Sequence, residues 1–340
     1  MRIQHARRFS RRRFLEGVTL AGAAGVLGLH PRPVAAEPPP ETTRLRLNWS
    51  SSLCLAPEYM AEELLYAEGF TEVQYVKKEA GVTLHKAVAS GEVDLTPNFV
   101  GPILLQLEAG DPIVTLAGLH IGCTELFGTE QVRTLRDLKG KTVVVRGLGM
   151  PEHIFLASMA AYVGLDPRTD IHWVFHPMAE AERLLAEGKI DAWMAGPPFA
   201  QQWRAQQLGH VVVNMSSDRP WSQYFCCLMT GNREFVRQHP VATKRALRAI
   251  LKAADVCGRE PERVARFLVD KGYTAHYDAA LQAVQEIPYD KWREYDPEDS
   301  MRFYALRLHE IGMLKSSPQK LIAQGTDWRF FNELKKEMKG

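Results

Sequence analysis

Four groups of residues have the types that recognise small molecules. Trp49, Ser50, Ser51, Ser52 and Cys54 bring an indole, three hydroxyls and a thiol into one short run. Thr96, Pro97, Asn98 and Phe99 bring a hydroxyl, an amide and a ring, and His120 stands just before Gly122 and Cys123. Arg146, Gly149, Glu152 and His153 combine a guanidinium, a carboxylate and an imidazole. Trp193, Trp221 and Tyr224 add aromatic surface. The chemistry within reach is binding. Hydroxyls and amides hydrogen-bond a solute, a guanidinium pairs bidentately with a carboxylate, and rings stack on planar ligands. Each group also has a plain structural use: the serines as helix caps, Phe99 and the tryptophans as core, Arg146 as a solvated edge residue. Glu152 opposes a bound anion and favours an NH donor or a cation, so the charge of a ligand stays open.

Catalytic signatures are missing. The chain has no G-x-S-x-G elbow, no P-loop and no H-E-x-x-H. It carries five cysteines, Cys54, Cys123, Cys226, Cys227 and Cys257, and no spacing among them matches a zinc or iron–sulfur site, so neither a metal nor a cofactor is expected. An odd number leaves at least one thiol unpaired if the others bridge. Cys226 and Cys227 are adjacent and not expected to bond each other, whereas Cys54 and Cys123, both near strand ends, are a possible pair.

The elements that must position these groups centre on residues 137–153, DLKGKTVVVRGLGMPEH. Gly140 suits a turn. The β-branched run 142–145 predicts a strand buried on both faces. A glycine-bearing loop follows, and Pro151 opens a helix where a missing N–H costs nothing. Strand, loop and helix N-terminus together form the carboxyl edge at which open α/β sheets bind ligands. A phrase of the form Gly-x-(Val/Ile)-Asp occurs twice, as Ser90-Gly91-Glu92-Val93-Asp94 and Glu187-Gly188-Lys189-Ile190-Asp191. Each copy is read as a helix end, a turn and a short strand (92–95 and 190–194), followed by a proline-containing loop. Two copies about a hundred residues apart point to two similar α/β lobes rather than a solenoid.

Elsewhere, alternation and punctuation predict strands at 44–49, 71–77, 113–119, 171–175, 211–214 and 224–229. Helices are predicted at 58–68, 82–90, 101–109, 151–163, 179–187 and 199–207, and a helical tail follows from Asn232. Residues 1–36 read as an export signal of the twin-arginine type, with Ser10-Arg11-Arg12-Arg13-Phe14-Leu15, an apolar stretch at 18–29 too short to span a bilayer, and small residues up to Ala36. That segment holds seven arginines and one acid. The rest has 35 basic and 39 acidic residues, a net of −4 behind the whole chain's +2, and gives no case for nucleic-acid binding. The expected organisation is the signal (1–36), a proline-rich linker (37–43), a first lobe (44–131), a second lobe (132–226), and a return to the first lobe with C-terminal helices (227–340).

From residue 43 onward the chain resembles the periplasmic solute-binding proteins of ABC importers in the nitrate/sulfonate/taurine group, which is related to the pyrimidine synthases of thiamine biosynthesis. The resemblance rests on the Pro57 helix ending in Glu68-Gly69-Phe70, on Ser90-Gly91-Glu92-Val93-Asp94, on Leu135-Arg136-Asp137-Leu138-Lys139-Gly140-Lys141, on Gly188-Lys189-Ile190-Asp191-Ala192 and on Phe235-Val236-Arg237-Gln238-His239-Pro240. It implies a two-lobed periplasmic-binding-protein fold of type II and a small organic ligand (a sulfonate, an aromatic acid or a pyrimidine-like compound) between the lobes. It also implies a monomer in the periplasm that delivers its ligand to a permease with its ATPase. Sulfonate binders of the group commonly offer hydroxyls in the loop before the second-lobe helix; here that loop, residues 146–151, has none. Two other readings belong to the same group: a periplasmic sensor subunit, and an enzyme like the pyrimidine synthases or the chorismate-derived dehydratases.

Overall fold

The computed structural model describes residues 37–77 and 84–339; the expected export signal lies outside the described residues. Three sheets carry the fold. β1 (Arg44–Trp49) and β2 (Glu72–Lys77) form a parallel pair. β3 (Leu95–Phe99), β4 (Ile113–Ile121) and β10 (Phe225–Asn232) form an antiparallel sheet in the order β3-β10-β4. β5 (Glu125–Gly128), β6 (Lys141–Val145), β7 (Ile171–Phe175), β8 (Ala192–Ala195) and β9 (His210–Asn214) form a five-stranded sheet in the order β7-β6-β8-β5-β9.

The two echoed phrases do the same mechanical job. The backbone N–H of Asp94 donates to the Arg46 carbonyl at 2.8 Å, and its carboxylate accepts the Arg46 N–H at 2.7 Å. The Asp191 N–H donates to the Thr142 carbonyl at 2.8 Å, and its carboxylate accepts the Thr142 N–H at 2.8 Å. Each aspartate thus closes a two-bond ring on the neighbouring strand. The glycine ahead of each turns through positive φ, +77° at Gly91 and +65° at Gly188, where a side chain would be strained. These clamps occupy the residues expected to be strand, so the strands begin two or three residues later, at Leu95 and Ala192. Thr96 to Phe99, expected as loop, are therefore β3. Pro97 is tolerated there because β3 is hydrogen-bonded into its sheet by β10 alone.

The helices fill in around the sheets. The helix expected at 58–68 is two, α1 (Ala56–Met60) and α2 (Glu62–Ala67), separated at Ala61. α3 (Leu84–Ala89) and α4 (Val100–Glu108) complete the first set. α5 (Pro151–Tyr162), α6 (Met178–Ala186) and α7 (Phe199–Gln206) accompany the five-stranded sheet. From Arg233 the chain is helical: α8 (Arg233–Gln238), α9 (Pro240–Arg259), α10 (Pro261–Asp270), α11 (Tyr277–Glu286), α12 (Pro297–Glu310), α13 (Pro318–Gly325) and α14 (Arg329–Glu337). The alternation does not mark β5. β5 is four residues long and wholly buried, too short to show a period.

The chain passes between the three-stranded and five-stranded sheets twice, at residues 122–124 and 215–224, and the two passages touch. Gly122 has φ +49°, and a Cβ there would lie 2.4 Å from the Ser216 Cα. A second close approach lies beside it on β4, where a Cβ on Gly118 would meet the Phe225 ring at 2.3 Å. Gly122 lets the two passages pack backbone to backbone, and Gly118 leaves room on β4 for the Phe225 ring. Substituting Gly122→Ala should cost about 1–2 kcal/mol for the left-handed conformation and roughly 1–3 kcal/mol more for overpacking. Thermal unfolding should show the loss as a fall of several degrees, with Gly110→Ala, where nothing lies within 4 Å of an added Cβ, as the control that carries only the conformational part.

Candidate functional site

At the carboxyl end of β1 the expected hydroxyls are engaged, and not as caps. The Ser50 carbonyl accepts the Tyr59 hydroxyl at 2.7 Å, the Ser50 hydroxyl accepts the Ser52 N–H at 3.2 Å, and the Ser52 Oγ lies 3.1 Å from the Cys54 Sγ. Neither the turn at Leu53–Leu55 nor α1 has a side-chain cap. Ser51 is exposed. Trp49 is half-buried, with the Lys77 ammonium 4.3 Å from its ring centre and Tyr273 stacked at 6.1 Å. Behind it, Asn48 is wholly buried and neither end of its amide has a hydrogen-bond partner. Buried amides are seldom left so, and a water or a ligand would satisfy this one. Asn48 shares its side of the alternating strand with Arg44 and Arg46, so the sequence carries no sign that it is buried.

Within β3, Asn98 is buried and its Oδ1 accepts the Phe99 N–H at 2.8 Å. Phe99 meets Phe155 of α5 edge-on at 5.8 Å. A Cβ on Gly101 of α4 would lie 2.5 Å from the Ile154 Cγ2. Elements of the two sheets' helical layers are thus in direct contact at this point. His120 is inside β4, fully buried, with its Nδ1 3.0 Å from the Gly122 carbonyl.

At the carboxyl end of β6, Arg146 does not wait for a ligand carboxylate. It holds Glu152 bidentately, Nε to Oε1 at 2.6 Å and Nη2 to Oε2 at 3.0 Å, and its N–H adds a third contact to Oε1 at 3.2 Å. The nearly buried carboxylate raises the guanidinium's affinity for its proton, and the two charges cancel at the mouth of α5. Arg146, expected to pair with a ligand carboxylate, is instead paired with Glu152, expected to oppose a bound anion. Gly149, at φ +78°, donates its N–H to His153 Nδ1 at 3.1 Å. His153 packs edge-on against Trp173 at 4.8 Å, and burial lowers its proton affinity despite Glu152. It is therefore neutral near pH 7, with its proton on Nε2 as a donor.

Two expected ligand residues are core. Trp193 has no exposed surface and packs edge-on against Trp203, and Trp221 packs against Tyr162 and Phe303. A ring enclosed this way has no face to offer a solute. The exposed apolar surface is elsewhere. Leu148 is 65% exposed in the loop after β6, Phe175 is 52% exposed at the end of β7, and Phe199 is 39% exposed at the start of α7, just past β8. β6 runs parallel to both β7 and β8, so all three side chains stand at one carboxyl edge. Exposure is a tertiary property, and sequence pattern did not single them out.

The geometry is that of the periplasmic-binding-protein fold. The structure of the periplasmic nitrate-binding protein NrtA from Synechocystis PCC 6803 matches with a TM-score of 0.73 over 89% of this chain and 90% of that one, at 16% identity. The alkanesulfonate-binding protein SsuA from Xanthomonas axonopodis pv. citri, bound to MOPS, matches with a TM-score of 0.66 over 86% and 100%, at 18% identity. The Candida albicans CA3427 product, described as having the generic periplasmic binding protein fold, matches with a TM-score of 0.65 over 84% and 96%, at 12% identity. The sequence narrows this further: the model of the NMT1-like family matches residues 38–267, and the chain belongs to that family. No curated protein sequence matches.

One acid at the site titrates near neutrality. Glu125, at the start of β5, is nearly buried. Desolvation pushes its carboxyl up to about 7, with Arg204 opposing and the Glu286 and Asp218 carboxylates adding to the rise. The folded chain therefore keeps a proton between about pH 4.5 and 7 that the unfolded chain releases, so stability falls as pH rises through that window. Glu125→Gln should leave the melting temperature nearly unchanged at pH 5 and raise it at pH 8, by the equivalent of roughly 2–3 kcal/mol. Thermal unfolding of both chains at the two pH values checks this.

Proposed function

We propose that this chain is the substrate-binding component of an ABC importer, which captures a small organic solute between two lobes and hands it to a membrane permease with its ATPase. The observation that carries the reading is the carboxyl edge of β6, β7 and β8, where Leu148, Phe175 and Phe199 remain exposed beside a neutral His153 donor. Apolar walls with a few placed polar groups are the usual make-up of a small-molecule site. The relatives whose names record nitrate and alkanesulfonate binding support the class of function.

The lobes would be residues 44–131 with 227–340, and residues 132–226. Asn48, Ser51 and Phe99 would face the solute from the first, and His153 with the exposed apolar trio from the second. Contacts to both sides are what make closure favourable, because a ligand held by one lobe alone shifts no equilibrium. Among the sulfonates, aromatic acids and pyrimidine-like compounds considered, the cancellation of Arg146 by Glu152 favours the uncharged, pyrimidine-like kind. The protein would work as a monomer in the periplasm, exported by the twin-arginine route and cut near Ala36, and as a binder rather than an enzyme. Among the described residues no helix is long and apolar enough to cross a membrane.

Native mass spectrometry of protein purified without denaturation should give a discrete adduct that is lost on unfolding. A thermal-shift series of pyrimidines, aromatic acids and sulfonates should give a shift with one class. His153→Ala and Ser51→Ala should each weaken that binding, the former by about tenfold, the loss expected for one buried hydrogen bond. A bare chain that no compound stabilises would sink the reading, and loss of binding from one lobe only would sink the two-sided closure.

A further inference from the structure

Cys54, His120, Cys123 and Cys227 are scattered through the sequence, yet their ligand-type atoms all lie within 4.8 Å of one another, and all four residues are buried. Cys54 comes from the turn after β1, His120 from β4, Cys123 from the first passage between sheets, and Cys227 from β10. Cys227 is the residue paired with His120 in the β4–β10 register. Sheet register and the touching passages therefore bring the four together, which no local spacing could announce.

The imidazole supplies a second, independent sign. Its Nδ1 donates to the Gly122 carbonyl at 3.0 Å, with the Ile121 carbonyl at 3.2 Å. That fixes the tautomer and leaves Nε2 as the nitrogen with a lone pair. Nε2 is buried and has no hydrogen-bond partner. A histidine with one nitrogen held by a backbone carbonyl and the other presented bare is the arrangement that second-shell contacts impose on metal-bound imidazole. Without a cation, three thiols and an imidazole in a dry core are poorly matched. Nε2 is left unsatisfied.

We propose that Cys54, His120, Cys123 and Cys227 bind one zinc ion in a closed, structural site. Three soft sulfurs and one imidazole are a Cys₃His set, four-coordinate with no place left for water. With zinc–sulfur bonds of about 2.3 Å, the edges of a tetrahedron are about 3.8 Å, so atoms within 4.8 Å need to draw together only slightly. The complex would carry one negative charge. Two further groups lie against the sulfurs to ease it: the Ser52 hydroxyl, 3.1 Å from the Cys54 Sγ, and the Cys226 thiol, 3.1 Å from the Cys123 Sγ. The ion would tie the first passage between the sheets, through Cys123, to the returning strand, through Cys227. This proposal stands apart from the identity of any transported solute.

The test is the metal content of the full chain, purified without denaturation and with air excluded from cells grown with added zinc. One zinc per chain is expected. Replacement by Co²⁺ should give the visible bands and sulfur-to-metal charge transfer of a tetrahedral thiolate site. Cys227→Ser and His120→Ala should lose the metal, while Cys226→Ser, one residue along the same strand, should keep it. If the first two variants fail to fold, the wild-type stoichiometry, the cobalt spectrum and the Cys226→Ser protein still decide. Three results would overturn the assignment: a metal-free chain whose five thiols all react after denaturation, a Cys123–Cys226 disulfide recovered in peptide mass analysis, or equal metal loss in Cys226→Ser and Cys227→Ser.

Discussion

The structure depends on a contact between two backbones. Where the chain first leaves the three-stranded sheet, Gly122 lies against Ser216 of the second passage, closer than any side chain would allow. That contact fixes how the end of β4 meets the start of β10, and through them how the five-stranded sheet follows from the three-stranded one. The groups with chemistry near this point are placed by it. His120 is held by the Gly122 carbonyl, Cys123 is the next residue, and Phe225 lies over Gly118.

Around this junction the two sheets repeat one device. Asp94 and Asp191 each clamp a neighbouring strand by both its N–H and its carbonyl, and each is preceded by a glycine turned through positive φ. The clamps lie just ahead of the amino ends of β3 and β8 and fix where those strands begin. At β6 the loop is further tied by Arg146 to Glu152 and by Gly149 to His153, so the mouth of α5 is organised before any ligand arrives. Pre-organisation of this sort reduces the ordering cost of binding.

How much of this was legible follows from the range of each signal. The echo of the Gly-x-(Val/Ile)-Asp phrase is local and gave the repeat of halves, although not the clamp that delays each strand. The buried run Val143–Val145 and Pro151 placed β6 and α5 within a residue or two, because both signals act over a single turn or strand. Trp193 and Trp221 misled, since an aromatic at a strand end is equally suited to a cleft and to a core, and only packing against Trp203, Tyr162 and Phe303 decides. Pro97 misled in another way: it marks a loop unless the strand is an edge, and edge position is a property of the sheet. The four-residue cluster was out of reach for the same reason. Its members meet through the β4–β10 register and not through spacing, and spacing was the only test the sequence allowed for a metal site.

The strand order β3-β10-β4 has a bearing on the sequence of events during synthesis. β10 is the middle strand of its sheet and the last of the three to be made, so β3 and β4 have no hydrogen-bonded neighbour until residues 225–232 have left the ribosome. The five-stranded sheet, by contrast, is complete in one contiguous stretch, from Glu125 to Asn214. The inner half of the molecule can therefore condense while the outer half is still waiting for its centre. β1 and β2 can pair early, but β3 and β4 stay unpaired until β10 is made. Chains of this topology are exposed to misassociation at that stage, and the burden falls on residues 95–121 rather than on the more intricate five-stranded half.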